Sequence, residues 1–336
     1  MEKVVLYICC SHLYIPTVLS ACENSKDRIY IYTDKKDLVE FFTEYTNFTD
    51  IYYDSFEVFN LRKKLLEDVA RKKKIKEWAD GIQFTDVYFF HEGYCDPANW
   101  LMLYLSERGS VIFHYVPIAK SNFFYEIEID NSFKSLLKKC YCRILWGYTP
   151  IFSTKGDGCG ILPQKFYEKL KIQKEEKIVV DKNISKFILN EKDYPSSSIL
   201  LLSNPHINSE LQAESYSLFL EKAIRPLLKK ENILFKNHPG KDNRCGLENE
   251  LPEIPSFISG NLLTSRFNCF IGVDSALLWE AAKDGTKAIC LASLIDLPQE
   301  KKESIIEFYE TLKRSSGVFD KVVLHPKTIQ EFWSLL

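Results

Sequence analysis

Two stretches decide how this chain is read: residues 233–240, ILFKNHPG, and residues 268–291, NCFIGVDSALLWEAAKDGTKAICL. In order they spell strand, loop, strand, helix, strand. Residues 233–235 form a short apolar strand, and Lys236-Asn237-His238-Pro239-Gly240 follow at its carboxyl end. Pro239 biases His238 away from helical backbone, which leaves the imidazole at a strand tip. Residues 269–273 read as a strand of buried type. Asp274-Ser275 then opens a helix whose Leu277, Leu278, Ala281 and Ala282 recur at helical spacing. Gly285 closes that helix, and 287–291 is the next strand. Asp274 or Ser275 is therefore an N-cap, beside backbone N–H groups that attract anions. An imidazole and a hydroxyl-bearing helix start, both at carboxyl ends of strands in one sheet, make a candidate phosphate site.

Working outward, the same alternation recurs on both sides. Residues 198–203 (SILLLS) are a buried strand running into Asn204-Pro205-His206. Ser203 and Asn204 are placed to bond a phosphate or a ribose, with His206 as a further candidate contact. Residues 209–228 read as a helix bent or broken near Pro226. Near the amino terminus, 3–10 (KVVLYICC) and 28–33 (RIYIYT) are strands around a helix at 14–21. A helix at 38–45 and strands at 50–53, 85–90 and 110–116 continue the pattern. His114, among apolar residues of the last, reads as a satisfied core histidine. Residues 131–142 read as a helix and 143–146 (RILW) as one more strand. The strand at 85–90 ends in His91-Glu92-Gly93, which puts a carboxylate where ligands bind in such sheets. Residues 61–78 form a basic helix, with Leu65, Val69, Ile75 and Trp78 as its apolar side. Its Lys and Arg face is either solvated or set against an anionic membrane surface or glycan.

Bulk properties narrow the class. A chain of 336 residues exceeds one hydrophobic core, so two domains are expected, 1–170 and 177–336, joined by the polar run 171–177. A formal charge of −2 supplies no overall field for nucleic acid, which removes that class of partner. Ten cysteines, several of them in apolar strands and without zinc-finger spacing, read as reduced thiols of a cytoplasmic protein. No apolar run approaches the roughly 20 residues of a membrane span. The segment 156–160 (GDGCG) lacks the spacing of a phosphate loop, and no Asp-x-Asp offers a metal site; Glu126, Glu128 and Asp130 alternate as in a half-exposed strand. Residues 322–325 (VVLH) read as a last strand, and His325-Pro326 lies before the last helix and reads as punctuation.

Lys236-x-His238-Pro239 together with Ser275 resembles the HP and serine motifs of bacterial sialyltransferases of GT-B fold. The resemblance implies an α/β chain of two Rossmann-like domains with parallel sheets facing a cleft, the carboxyl-terminal one binding the donor. It implies inverting, metal-independent transfer of sialic acid from CMP-sialic acid to a glycan hydroxyl, as in lipooligosaccharide or capsule synthesis, with no other cofactor. Carried onto this chain, His238 gives a proton or hydrogen bond to the CMP phosphate, and Ser275 binds that phosphate beside Asp274. Lys236 and Pro239 lie against the cytidine. Where some members place a ribose-binding Glu after Ile-Ser, this chain has Ser259 and Asn261. The family's acid–acid–Gly motif, which supplies the base, is here His91-Glu92-Gly93, so either His91 or Glu92 takes the acceptor proton. A Kdo transferase, a CDP-glycerol-type polymerase and a non-catalytic two-domain sugar or nucleotide binder share these features and stand as alternatives. Acceptor, linkage and oligomeric state leave no trace in the sequence.

Overall fold

The computed structural model describes residues 2–22, 25–46, 48, 50–54, 61–90, 96–116, 129–152, 160–172, 176, 178–180, 189–204, 210–237, 246–256 and 258–336. The chain separates into two compact units, Met1–Val180 and Asp181–Leu336.

In the first unit, β1 (Val4–Ile8), β2 (Arg28–Thr33), β3 (Asp50–Tyr53), β4 (Asp86–Phe89) and β5 (Ile112–Tyr115) form one sheet in the order β3-β2-β1-β4-β5. Every pairing is parallel, with Val5 opposite Ile29 on one side and Asp86 on the other. Parallel strands need crossovers, and α1 (Ile15–Cys22), α2 (Lys36–Tyr45), α3 (Leu61–Asp80) and α4 (Asp96–Glu107) lie between them in sequence. Leu6 and Ile8 of β1, Val87 and Phe89 of β4, and Leu101 and Leu105 of α4 share one buried core. After β5 come α5 (Phe133–Leu145), the antiparallel pair β6 (Ile151–Phe152) and β7 (Gly160–Ile161), and α6 (Gln164–Lys169).

In the second unit, β8 (Ile199–Leu202), β9 (Ile233–Lys236), β10 (Glu253–Ile254), β11 (Cys269–Gly272) and β12 (Lys287–Cys290) repeat the plan, in the order β10-β9-β8-β11-β12 and again all parallel. β8 and β11 are buried along their whole length, as the continuous apolar runs ILLL and CFIG require of strands covered on both faces. The helices are α7 (Glu210–Phe219), α8 (Ala276–Lys283), α9 (Gln299–Ser316) and α10 (Ile329–Leu335). α7 gives way to a wider turn at Leu220–Ile224 and a tighter one at Arg225–Lys229, the break expected at Pro226. The fold class is thus α/β with two Rossmann-like units of parallel sheet, as expected.

Three expectations are corrected. Residues 143–146 are not a strand: α5 runs through Leu145, because Cys142 and Leu145 continue its inward face and Trp146 is buried as its cap. Residues 322–325 contribute only the bridge Leu324–Ile289. The apolar side read into 61–78 is split. Ile75 is buried, but Leu65 and Val69 are exposed, since Asp68 and Arg71 take the inward positions.

Candidate functional site

The strand order of the second unit fixes where a ligand binds. From β8 the chain goes first to β9 on one side and later to β11 on the other, which opens a crevice between the carboxyl ends of β8 and β11. Ser203-Asn204 leave the tip of β8, and Val273-Asp274-Ser275 leave the tip of β11. The strands come close there: a Cβ added at Gly272 would lie 3.2 Å from Leu202 Cβ.

The two tips are clamped. The Val273 amide donates to Asn204 Oδ1 at 2.9 Å, and the Ser203 amide donates to the Lys236 carbonyl at 3.0 Å. The Cys290 thiol, pushed up to about 12 by burial, stays protonated and donates to the Val273 carbonyl at 2.9 Å. With those bonds made, two polar atoms are left over. Ser203 Oγ and Asn204 Nδ2 are both buried with no hydrogen-bond partner among the described residues. Ser203 is 5% exposed and Asn204 3%, so water does not satisfy them freely. A buried polar group left unpaired costs about 1–3 kcal/mol, and such a group at a ligand crevice marks a ligand contact.

Across from them, Ser275 caps α8 in extended backbone (φ −91°, ψ 129°), its Oγ accepting from the Leu277 amide at 3.3 Å. A hydroxyl that accepts still has its own proton to donate. Tyr309 of α9 donates to the Ser275 carbonyl at 3.1 Å and holds the turn in place. Asp274 lies 3.6 Å from Lys301 Nζ, so a cation opposes its charge at this helix start. The turn carrying Ser259 and Asn261 is pressed against the same place, since a Cβ at Gly260 would fall 2.6 Å from Leu277 Cδ2. Lys236, at the end of β9, is buried, and its ammonium donates to the carbonyls of Asn237 (3.1 Å) and Ser256 (3.0 Å).

The described candidates of this unit, Lys236, Ser203, Asn204, Ser259, Asn261, Asp274 and Ser275, therefore gather at one edge of one sheet. His238, Pro239 and His206 lie outside the described residues, as do His91 and Glu92 of the first unit. Sequence reasoning missed the Asn204–Val273 clamp and the supports from Tyr309, Lys301 and Cys290. Those on α9 had no signal, because an amphipathic helix far along the chain does not announce which turn it will brace.

Two histidines of the first unit have charged partners. His12, just past β1, puts Nε2 2.6 Å from Asp37 Oδ2. Burial alone would raise the Asp37 carboxyl, but His12 and the Leu38 amide outweigh it and hold it below the usual range. His114 sits between Asp86 (2.8 Å) and Glu176 (2.6 Å) and stacks on Tyr88. It is satisfied, as expected, but by carboxylates rather than an apolar core.

No family model matches the chain, and no curated protein sequence matches it. Among solved structures, the UDP-GlcNAc 2-epimerase of Methanocaldococcus jannaschii is 11% identical, with 100% of this chain and 91% of that one covered and a TM-score of 0.49. The 2,6-sialyltransferase of Photobacterium sp. JT-ISH-224, solved with CMP and lactose, is 11% identical over 96% of this chain and 78% of its own, also at 0.49. The UDP-GlcNAc 2-epimerase of Neisseria meningitidis, bound to UDP-GlcNAc, is 11% identical over 97% and 95%, at 0.46. Likeness of this degree says nothing of substrate.

Proposed function

We propose that this protein is an inverting, metal-independent glycosyltransferase that moves sialic acid from CMP-sialic acid to a hydroxyl of a cell-surface glycan, lipooligosaccharide or capsule, working in the cytoplasm. The observation that carries the reading is the pair of unsatisfied buried atoms, Ser203 Oγ and Asn204 Nδ2, at the second unit's switch point beside the start of α8. Preorganised donors around a helix N-terminus suit a phosphate that gains charge as it leaves. The sugar and the cytidine rest on the resemblance of Lys236-x-His238-Pro239 and Ser275.

In this scheme the acceptor oxygen bonds to the anomeric carbon as the bond from that carbon to the CMP phosphate breaks. Glu92, or His91 beside it, takes the hydroxyl proton. His238 gives a proton or hydrogen bond to the departing phosphate, joined by the Ser275 hydroxyl. Lys236, whose ammonium holds the carbonyls of Asn237 and Ser256, fixes the carboxyl end of β9 beside the cytidine. Ser259 and Asn261 take the ribose hydroxyls, and Asp274 keeps Lys301 at the rim.

The test is a donor panel. The purified protein is incubated separately with CMP-sialic acid, CMP-Kdo, CDP-glycerol and UDP-GlcNAc, each with galactose-terminated glycans, and nucleotide release and product mass are followed. Acceptor-dependent CMP release from CMP-sialic acid is expected. Turnover of another donor without any of CMP-sialic acid overturns the assignment.

A further inference from the structure

We propose that the outer face of α5, with the adjoining turns of α3, docks the first unit onto an anionic lipid surface. This surface is separate from the donor site and does not depend on the reaction proposed for it.

α5 is turned the opposite way from an ordinary surface helix. Its large apolar residues, Phe133, Leu136, Leu137 and Ile144, recur at spacings of three, one and seven and so form one stripe, with the exposed Cys140 in line. The residues it buries are Ser135, Cys142 and Leu145, on the opposite side. Phe133 is 74% exposed and Ile144 85%. Lys134 and Lys138 run along one flank of the stripe, and Lys139 and Arg143 along the other. The sequence FKSLLKKCYCRIL thus carries four basic residues and no acidic one.

α3 packs beside α5. Tyr141 of α5 donates to Asp68 Oδ2 at 2.5 Å, and Lys72 of α3 donates to the Leu145 carbonyl at 2.6 Å. Both bonds join residues 73 apart in sequence, so the helices run side by side in the same direction. α3 also exposes Leu65, Leu66 and Val69, with Lys76 further along and Lys73 paired with Glu77 at 3.7 Å. An exposed apolar stripe flanked by charge, as on α5, marks an interaction site.

The charge decides the partner. A second copy would set two purely basic α5 faces against each other, at an electrostatic cost. An anionic bilayer accepts the apolar stripe below its headgroups while the flanking Lys and Arg reach up to the phosphates. A helix of 13 residues lies along such a surface, since crossing takes roughly 20. It is also preformed: Ser132 caps it, accepting from the Ser135 amide at 3.2 Å, so docking requires little new ordering.

The experiment is co-sedimentation of the full chain with vesicles of phosphatidylcholine alone and of phosphatidylcholine mixed with phosphatidylglycerol. Binding to the mixed vesicles, weakened by salt, is expected. The double variant Leu137→Glu, Ile144→Glu replaces only exposed side chains, so its melting curve should match that of the unaltered protein. Its partition onto mixed vesicles should fall about tenfold or more, as lost apolar burial and added repulsion require. Lys134→Glu with Arg143→Glu should weaken binding and flatten its salt dependence. No binding to either vesicle, equal binding to both, or undiminished binding by the Leu137/Ile144 variant overturns the proposal. So does a dimer that this variant disperses in the absence of vesicle binding.

Discussion

The Asn204 side chain uses its two ends differently: Oδ1 takes the Val273 amide proton, while Nδ2 stays buried and unpaired beside the Ser203 hydroxyl. This division makes two substitutions behave differently. Asn204→Ala strands the Val273 N–H and should cost about 1–3 kcal/mol, read as a shift of the denaturant midpoint. Ser203→Ala strands nothing, so stability should hold within about 0.5 kcal/mol while CMP binding, followed by calorimetry, weakens about tenfold. A Ser203→Ala protein that is destabilised but binds CMP unchanged would make the hydroxyl a structural group. For the reaction itself, His238→Ala and Glu92→Gln should each lower the transfer rate by roughly 10² to 10⁴. Near-full activity in both would remove the assigned acid and base. At this scale the sequence was legible where local chemistry decides: a Ser before an apolar helix is a cap, and Ser275 is one. It was silent on which buried atoms end unpaired, because that depends on strands joined only in the folded sheet.

α3 shows why periodicity misleads at the scale of an element. Counting apolar residues placed Leu65 and Val69 inward, but the helix is anchored there by charge. Arg71 Nε lies 2.6 Å from Asp54 Oδ1, with Asp68 at 3.6 Å and Tyr32 donating to Asp54 at 2.7 Å. Burial opposes the Arg71 charge, yet Asp54 and its neighbours more than offset this and hold the guanidinium protonated. Arg71→Leu should therefore destabilise the first unit by about 3–5 kcal/mol, because two buried carboxylates lose their partner. An unchanged unfolding midpoint would show that the pairs contribute nothing. Continuous apolar strands such as ILLL were read correctly, since a short run bounded by Pro and Ser on one side and by Ser, Asn and Pro on the other favours a strand buried on both faces. RILW misled because Arg143 to Leu145 are the last residues of a helix and Trp146 is its cap.

Over the whole molecule, both units share one strand order, with the first strand central and the return to the fourth opening a crevice. Alternation of strand and helix made parallel sheets legible, whereas strand order is a property of tertiary pairing that no single segment carries. One half-buried histidine ties stability to pH. Burial lowers the pKa of His325 in the folded state, with Glu310 opposing only partly, and its Nδ1 has no partner among the described residues. Unfolded, it titrates near 6.5, so below that value the unfolded chain binds the extra proton and stability falls as pH drops. His325→Gln should lose less of its melting temperature than the unaltered protein between about pH 7.5 and pH 5.5. An equal loss would place the pH dependence elsewhere. The central claim is that a nucleotide phosphate sits at the switch point of the second unit, and a crystal structure of the full chain with CMP tests it most directly. The account predicts CMP oxygens within hydrogen-bonding distance of Ser203 Oγ, Asn204 Nδ2 and the Ser275 turn; CMP bound away from the carboxyl ends of β8 and β11 would contradict it.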